Sequence, residues 1–320
     1  MLKELRFVQG AVAKKDFIPA MTHFAIEDGI VRSFNGVVAL SSPLDFDIDC
    51  KPKAVQLVKA ISNCKDTVSL SMTETGRLAV RSGPFRAYID CVHEETPHVY
   101  PEGKYVPIDS DDLLEGFRRL EPFIGNDASR AWTNGILLKG QSAFATNNVM
   151  LVEYWMGTPF PYIVNVPKMA IVEALRVGEP CTAIQIAERS MTFHFADKKW
   201  IRTALLNVGW PDVESILNKK SDNLVEIPDS FYDALDAIAS FTDKHGRVYI
   251  NNEVVSTAPP EAKDEGAFFD VQGFPFNGIY RREMLMLMKG IVKKCDLSFY
   301  PDPCIFYGEK LRGAIIGMKM

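Results

Sequence analysis

The sequence lacks the patterns that would place the chain in a membrane or export it from the cell. No apolar stretch approaches the roughly 18 consecutive residues of a membrane-spanning helix. The first residues, MLKELRFVQG, have neither an apolar core nor a small-residue cleavage site. We therefore expect a soluble cytoplasmic protein with no membrane partner.

The motifs of several enzyme classes are also missing. The sequence contains no GxxxxGKS or GxxxxGKT phosphate loop, no GxGxxG dinucleotide-binding turn and no GxSxG nucleophile elbow. It has 6 cysteines, but no two of them form a CxxC pair, which argues against a zinc finger. Without a secretion signal they are best interpreted as reduced thiols. We expect no cofactor, no bound metal and no catalytic residue.

One acidic run leaves an enzymatic alternative open. Asp45, Asp47 and Asp49 alternate, so on a strand their carboxylates would share one face. Such carboxylates could bind Mg²⁺ in a nuclease. The solvated face of a strand explains the same pattern more simply, and we favour that interpretation.

A second segment contains the residue types of a zinc site. These are Cys91, His93, Glu94, Glu95 and His98. The segment HEETPH lacks the histidine pair four residues apart that a zinc-binding helix provides, and its proline opposes a helix. We do not expect zinc here.

What the sequence does contain is a unit written three times, each time a helix pattern followed by three strand-like runs. The helix patterns are KAVQLVKAIS (53–62), VPKMAIVEALRVG (166–178) and YRREMLMLMKGIVKK (280–294). The strand-like runs are TVSLSM, RLAVRSG and FRAYIDC, then TAIQIA, MTFHFAD and WIRTALL, then DLSFYP, CIFYGE and LRGAIIGMKM. Lys168 follows Lys53 by 115 residues (168 − 53), and Arg282 follows Lys168 by 114 (282 − 168). A fixed spacing of this kind predicts similar domains in tandem.

Each copy also has an upstream half, made of a helix and a strand pair. The helix patterns are LKELRFVQGAVAKK, VPIDSDDLLEGFRRL and EIPDSFYDALDAIASF, of which the last two begin with Asp and Ser typical of helix caps. Asp28-Gly29, Asn35-Gly36 and Lys139-Gly140 predict tight turns between strands. The sequence thus predicts three α+β domains at 1–102, 103–221 and 222–320, joined by polar linkers at 93–105 and 217–226.

The basic residues are concentrated on particular helices. The formal net charge is -5, yet KPKAVQLVKAIS carries three lysines and no acid. The helix patterns at the start of the chain and at 280–294 are also rich in Lys and Arg. A positive face on an acidic protein is suited to sequence-independent, salt-sensitive contacts with phosphates. Solvated helix surfaces are the simpler explanation for one helix, but the threefold repeat favours a shared binding face.

Several stretches, taken in order, resemble the bacterial sliding clamp family, the processivity subunit of the replicative DNA polymerase. They are TNGILLKG, FATNNVMLVEY, VPKMAIVEALRVG and LLNVGWPDVESIL, with RLAVRSG before them and AIIGMKM at the end. The resemblance covers essentially the whole chain at low identity, and its order and spacing are more specific than any one motif. It implies three tandem DNA-clamp domains, each of two helix-plus-sheet halves, with helices inside and sheets outside a ring of two chains. The implied partners are double-stranded DNA, bound without sequence preference, the replicative polymerase, a clamp loader and other clamp-motif peptides.

The resemblance also implies two sets of site residues. DNA would meet Lys15, Lys53, Lys59, Arg130 and Trp132, and the charge pattern adds Lys168, Arg176, Arg282 and Lys289. A partner-peptide pocket would be formed by Thr133, Thr146, Asn148, Val149, Met150, Leu151, Pro211, Ser215, Ile216, Ala314, Ile316, Met318 and Met320.

At some of these positions the sequence departs from the family. Met150 stands where the family usually has Arg, Val149 where it often has His, and Gly317 replaces a proline. Such divergence suggests a phage-encoded clamp as one hypothesis. We also keep a second function from another class, a monomeric adaptor that binds replication-protein peptides.

Overall fold

The computed structural model describes residues 1–15, 17–46, 48–108, 111–262 and 265–319. In this part of the chain the α-helices are α1 (Leu2–Val8), α2 (Ala54–Asn63), α3 (Asp111–Leu120), α4 (Lys168–Val177), α5 (Glu214–Leu217), α6 (Asp229–Ala237) and α7 (Arg282–Met286). None of them is long and apolar enough to cross a lipid bilayer.

The strands are short and numerous. Up to the middle of the chain they are β1 (Ala25–Glu27), β2 (Ile30–Phe34), β3 (Val38–Pro43), β4 (Ser69–Met72), β5 (Leu78–Ser82), β6 (Phe85–Ile89), β7 (Lys104–Pro107), β8 (Gly135–Lys139), β9 (Ser142–Thr146), β10 (Met150–Trp155) and β11 (Val164–Pro167). They continue as β12 (Ala183–Ile186), β13 (Ser190–His194), β14 (Trp200–Ala204), β15 (Val225–Glu226), β16 (Arg247–Asn251), β17 (Val254–Ser256), β18 (Phe268–Asp270), β19 (Asn277–Arg281), β20 (Val292–Asp296), β21 (Cys304–Gly308) and β22 (Leu311–Ile315). The α+β prediction is confirmed.

The chain forms two compact units, each built from two separated segments. Unit 1 comprises Met1–Leu114 and Val166–Leu206, and unit 2 comprises Glu115–Asn165 and Asn207–Met320. In unit 1 a seven-stranded antiparallel sheet runs β1-β2-β3-β14-β13-β12-β7, and a three-stranded sheet runs β4-β5-β6. Helix α1 packs on β2, β3 and α2, α2 on β6, and α4 on β14. Leu5, Leu40 and Leu57 are among the fully buried side chains of this core.

Unit 2 repeats this arrangement with different lengths. An eight-stranded sheet runs β11-β8-β9-β10-β22-β21-β20-β15, and a four-stranded sheet runs β18-β17-β16-β19. Helix α5 packs on β22, α6 on β17 and β18, and α7 on β19. Phe231, Phe274 and Phe306 are fully buried in this core.

The sequence repeat reappears as strand register. Facing residues in the first hairpin of each copy are Ala25 and Arg32, Leu137 and Phe144, and Tyr249 and Ser256. Each pair lies 112 residues after the one before (137 − 25 and 249 − 137). Local strand pairing therefore repeats at 112 residues, within three residues of the 115 and 114 that separate the helix patterns.

The long sheet of each unit is continuous through one strand pair, which we call its joint. Strand β3 pairs with β14 in unit 1, where Val38 faces Thr203. Strand β10 pairs with β22 in unit 2, where Met150 faces Ile315. Both partners shift by 112 residues (150 − 38 and 315 − 203), so the two joints share one register.

The third copy departs from its predicted elements. Helix α7 ends at Met286, well short of the predicted 294, and Val292–Asp296 is strand β20. The predicted strand DLSFYP is mostly loop. Gly290, at φ 77, lies between the helix and the strand, in a conformation that favours glycine. The chain that follows pairs with β15 and β21, and tertiary pairing thus overrides the helical spacing.

The predicted side-chain cap of α6 is also absent. Pro228 is the N-cap residue of α6, and no side chain bonds the free amides there. Asp229 lies in the first turn instead, where its charge suits the positive end of the helix dipole. For α3, the predicted capping residues Asp109 and Ser110 lie outside the described residues.

Candidate functional site

An open groove of about 250 Å³ lies beside the joint of unit 2. We call it the joint groove. It is lined by Arg130, Trp132, Thr146, Asn148, Val149, Met150, Leu151, Pro211, Asp212, Val213, Ile216, Pro303, Ala314, Ile315 and Ile316. These residues come from the facing ends of β9 and β10 and the turn between them, from α5 and the loop before it, and from the loop before β21. The end of β22, the residue after it and the 3₁₀ turn Ala131–Thr133 with the residue before it contribute the rest.

A tight turn shapes one end of the joint groove. The side-chain oxygen of Asn147 accepts hydrogen bonds from the amides of Val149 (3.1 Å) and Met150 (2.8 Å). The Thr146 hydroxyl donates to the Met150 carbonyl at 2.7 Å. Asn148 has φ 69, a left-handed conformation that asparagine tolerates better than most residues. These local bonds hold the turn in place without help from a ligand.

The floor of the joint groove is apolar and well packed. Met150 and Ile315 are each 1% exposed and face one another across the joint. Below the loop before α5, Leu137, Phe144, Leu151 and Leu217 form a buried cluster, against which Trp210 and Val213 pack. The loop is therefore held on the sheet by apolar burial, and it forms a defined wall.

The rim of the joint groove is polar. Arg130 donates to the Asn148 side chain at 3.0 Å. Outside the lining residues, hydrogen bonds from the Ser129 hydroxyl and amide, together with the nearby Arg130 charge, lower the pKa of Asp127. Trp132 and Trp210 meet edge to face with ring centroids 5.1 Å apart. An apolar floor with a polar rim and a methionine suits a short apolar peptide segment better than it suits bond-breaking chemistry.

Two buried cysteines outside the groove are poorly suited to act as nucleophiles. All the described cysteines are free thiols. Burial raises the pKa of Cys50 to about 12 and that of Cys181 to about 11. Thiols with raised pKa values are mostly protonated at neutral pH and react slowly.

Asp45 and Asp49, the described residues of the acidic run, do not lie on a strand, so that part of the prediction is wrong for them. Strand β3 ends at Pro43, before the first of these aspartates. Asp45 and Asp49 are exposed in irregular chain, and Asp47 lies outside the described residues. Within the described ranges, no three His, Cys, Asp or Glu side chains come together as a metal site, and this covers the group around Cys91 and His93.

The structure gathers most of the predicted pocket residues into the joint groove. These are Thr146, Asn148, Val149, Met150, Leu151, Pro211, Ile216, Ala314 and Ile316. Thr133 is fully buried beneath the groove, and Ser215 and Met318 are not among the lining residues. Met320 lies outside the described residues. The role of this set stays a prediction.

Sequence reasoning missed four lining residues, Asp212, Val213, Pro303 and Ile315. Asp212 and Val213 belong to the quoted WPDVESIL stretch, and Ile315 lies between two residues that were named, so a local signal existed for these. Pro303 precedes β21 and reaches the joint groove only through tertiary folding.

The predicted DNA residues fall into three groups. Arg130 and Trp132 line the joint groove. Lys59 is exposed on α2, Lys53 is the residue before that helix, Lys168 begins α4, and the exposed Lys15 lies 5.7 Å from the Phe17 ring centroid.

The third group, Arg176, Arg282 and Lys289, forms hydrogen bonds and ion pairs with residues of neighbouring helices. Arg176 on α4 donates to the Phe7 carbonyl of α1 at 2.7 Å. Arg282 donates to the Leu235 carbonyl at 2.6 Å, and both Arg282 and Lys289 bind Asp236, at 2.8 and 3.1 Å. These three side chains are therefore less available to phosphates than their sequence positions suggest.

No protein-family model matches the sequence, and no curated protein matches it. Solved structures do match over 100% of this chain and 97% of theirs. They include the beta sliding clamp of C. crescentus (TM-score 0.83, 17% identity) and the DnaN sliding clamp, DNA polymerase III subunit beta, of Bartonella birtlesii (0.85, 15%). The DNA polymerase III subunit beta of Pseudomonas aeruginosa has a TM-score of 0.84 at 18% identity. The chain thus has the fold of the bacterial sliding clamps, with the α+β repeat that its sequence predicts.

Proposed function

We propose that this protein is a non-catalytic DNA polymerase processivity factor, a sliding clamp that acts as a homodimeric ring around duplex DNA in the cytoplasm. Its partners would be the replicative polymerase, a clamp loader and other proteins carrying clamp-motif peptides. The division into domains at 1–102, 103–221 and 222–320 belongs to this proposal. A phage-encoded clamp in an infected host remains part of the hypothesis.

Two unpaired strand edges carry the proposal. By the repeat, β6 is the counterpart of β14 and β22, and β18 is the counterpart of β3 and β10. Among the described residues, β6 and β18 each have a strand neighbour on one side only. They are the two halves of a third joint, whose completed versions are β3 with β14 and β10 with β22.

A second copy of the chain supplies the missing halves. If β18 of one chain pairs with β6 of the other, the contact is head-to-tail, and two such contacts close a ring. Tyr88 on β6 is 53% exposed and Phe268 on β18 is 45% exposed. Exposed aromatic side chains of this kind are typical of a surface that a second chain covers. Closure would also remove two strand edges that otherwise invite aggregation.

The DNA contact would be electrostatic and diffuse. Lys53 and Lys59 with α2, and Lys168 with α4, place basic side chains on two of the repeated helices. A ring that slides needs contacts that are similar at every step along the phosphate backbone, and lysines provide them without reading bases. The joint groove would then hold a short segment of the polymerase while the ring holds the DNA.

A topological experiment tests encirclement without a loader. The protein is mixed with linear duplex DNA carrying biotin at both ends, the ends are closed with streptavidin, and the complex is washed at high salt. We expect protein to remain on the closed DNA and to leave when a restriction enzyme cuts it. Equal loss from open and closed DNA would contradict the ring.

A charge reversal tests the lysine face. Because each phosphate contact releases counterions, Lys59→Glu should weaken binding to duplex DNA and reduce the slope of log affinity against log salt by about 1. Lys198→Glu, at an exposed position in the turn before β14, serves as the matched control and should leave the slope unchanged. An unchanged slope in Lys59→Glu would remove α2 from the DNA contact.

The monomeric adaptor is the second candidate, because the joint groove lies wholly within one unit and does not need a ring. This hypothesis predicts a monomer that binds peptide. It also predicts that the protein dissociates at the same rate from DNA with closed ends and from DNA with open ends.

A further inference from the structure

The last described residues of the chain form hydrogen bonds first to one sheet of unit 2 and then to the other. The Ile316 amide donates to the Val149 carbonyl at 2.9 Å, beside β10. Two residues later, the Met318 amide donates to the Ile279 carbonyl of β19 at 2.7 Å. We call residues 316–319 the tail segment. Ile316 is hydrogen-bonded beside the eight-stranded sheet, and Met318 is hydrogen-bonded to the four-stranded sheet.

Tyr300 holds the tail segment in this position. Its hydroxyl donates to the Met318 carbonyl at 2.8 Å. A Cβ at Gly317 would lie 2.5 Å from the Tyr300 ring and 3.0 Å from the Ile279 carbonyl oxygen. A Cβ at Gly278 would lie 3.1 Å from the same ring. The ring thus occupies space that is open only because both neighbours are glycine.

The hydrogen bonds at Met318 limit the movement of the nearby residue Ile316. Its side chain is 42% exposed and lines the joint groove. With the amides of Ile316 and Met318 and the Met318 carbonyl all bonded, the tail segment has little freedom left. A wall that is ordered before binding does not have to be ordered by the ligand, so less of the binding free energy is lost.

We propose that Tyr300 is a positioning residue that holds the tail segment as a preformed wall of the joint groove. The ligand is a short peptide that places an apolar side chain against Ile316. This inference rests on the proposed function of the joint groove. It adds Tyr300, which is not one of the residues that line the groove.

The first test needs no ligand. Tyr300→Phe keeps the ring and removes the bond to Met318. We expect the Met318 amide to exchange with solvent roughly tenfold faster, consistent with the loss of one hydrogen bond. Tyr307→Phe, on β21, is the matched control and should leave that amide unchanged. Unaltered exchange at Met318 in Tyr300→Phe would overturn the proposal.

The second test asks whether Tyr300 acts through Ile316. The probe is a fluorescein-labelled short peptide, selected from a random library on the full chain and retained only if Ile216→Asp, at a lining position that is 36% exposed, abolishes its binding. Tyr300→Phe should weaken binding of this probe roughly five- to tenfold in the wild-type background. In an Ile316→Ala background it should have almost no further effect, because coupled residues give non-additive changes.

The outcomes separate the two levels of inference. Additive losses in the double variant, or no loss in Tyr300→Phe, would overturn the positioning role while leaving the groove as a peptide site. If no selected peptide is sensitive to Ile216→Asp, the groove itself is not a peptide site. In that case both the groove function and the inference built on it are contradicted.

Discussion

At the scale of single residues, two asparagines do the same work in the two units. The Asn35 side-chain oxygen accepts from the amides of Val37 and Val38, as that of Asn147 does from Val149 and Met150. Each side-chain nitrogen also lies 3.3 Å from a methionine sulfur, Met169 or Met284. The repeated asparagine was visible in the sequence, because the turn is local. The methionine contacts were not, because they join residues more than 130 positions apart.

One buried carboxylate supports a prediction at this scale. Asp296 is 1% exposed and accepts bonds from the Ser298 amide (2.8 Å), the Ser298 hydroxyl (2.6 Å) and the Ser221 hydroxyl. Asp296→Ala should lower the free energy of unfolding by about 3 kcal/mol, since it removes three hydrogen bonds to a buried carboxylate. Urea denaturation measures this. Asp302→Ala, at an exposed position nearby, should change stability by less than about 0.5 kcal/mol.

An exposed carboxylate supports a pH-dependent prediction. Hydrogen bonds from Ser190 and then from Arg202, with the charge of that arginine, hold the pKa of Glu102 below its usual 4.5. Its contribution to stability is therefore complete above about pH 4.5 and is lost as the pH falls through the lower folded-state pKa. Melting curves of Glu102→Gln should lie below wild type at pH 7 and converge with it in acid. Glu95→Gln, in the same linker, should track wild type throughout, and a gap that persists at low pH would contradict this account.

At the scale of elements, helices and hairpins with local signals were predicted well, and elements that depend on distant strands were not. Helix α4 starts two residues after the predicted position and ends at Val177, followed by Gly178 at φ 66, a conformation that favours glycine. The third copy failed because Val292 and its neighbours pair with β15 and β21, which contribute energy that no window of local sequence contains. The same limit applies to Pro303 in the joint groove.

The joint of unit 2 supports a prediction about packing. A Cβ at Gly313 would lie 2.3 Å from the Phe306 ring and 2.6 Å from the Leu151 carbonyl oxygen. Gly313→Ala should therefore destabilise the protein by about 3 kcal/mol through overpacking, measured by denaturant unfolding. Gly209→Ala is the control, because a Cβ there meets no atom within 4 Å. Wild-type stability in Gly313→Ala would show that the joint is loosely packed.

At the scale of the whole molecule, the open edges of β6 and β18 make the proposed assembly testable. The wild-type protein should sediment at twice the chain mass of 35.8 kDa. Tyr88→Asp or Phe268→Asp should give monomers, because each places a charge in the proposed strand contact. Phe241→Asp changes a side chain that is 61% exposed and lies in a 3₁₀ turn, and it should stay dimeric. Dimers in all three variants would place the interface elsewhere.

The sequence by itself determined the repeat, with helix patterns 114 to 115 residues apart, the α+β composition and three of the turns between strands. These follow from periodicity and from residues such as Asn35 and Gly29, whose preferences act over a few positions. Only the tertiary structure decided which strands meet at the two joints, where the joint groove opens and how Tyr300 fixes the tail segment. Those contacts join residues far apart in the chain, and their free energy exists only once the sheets have formed.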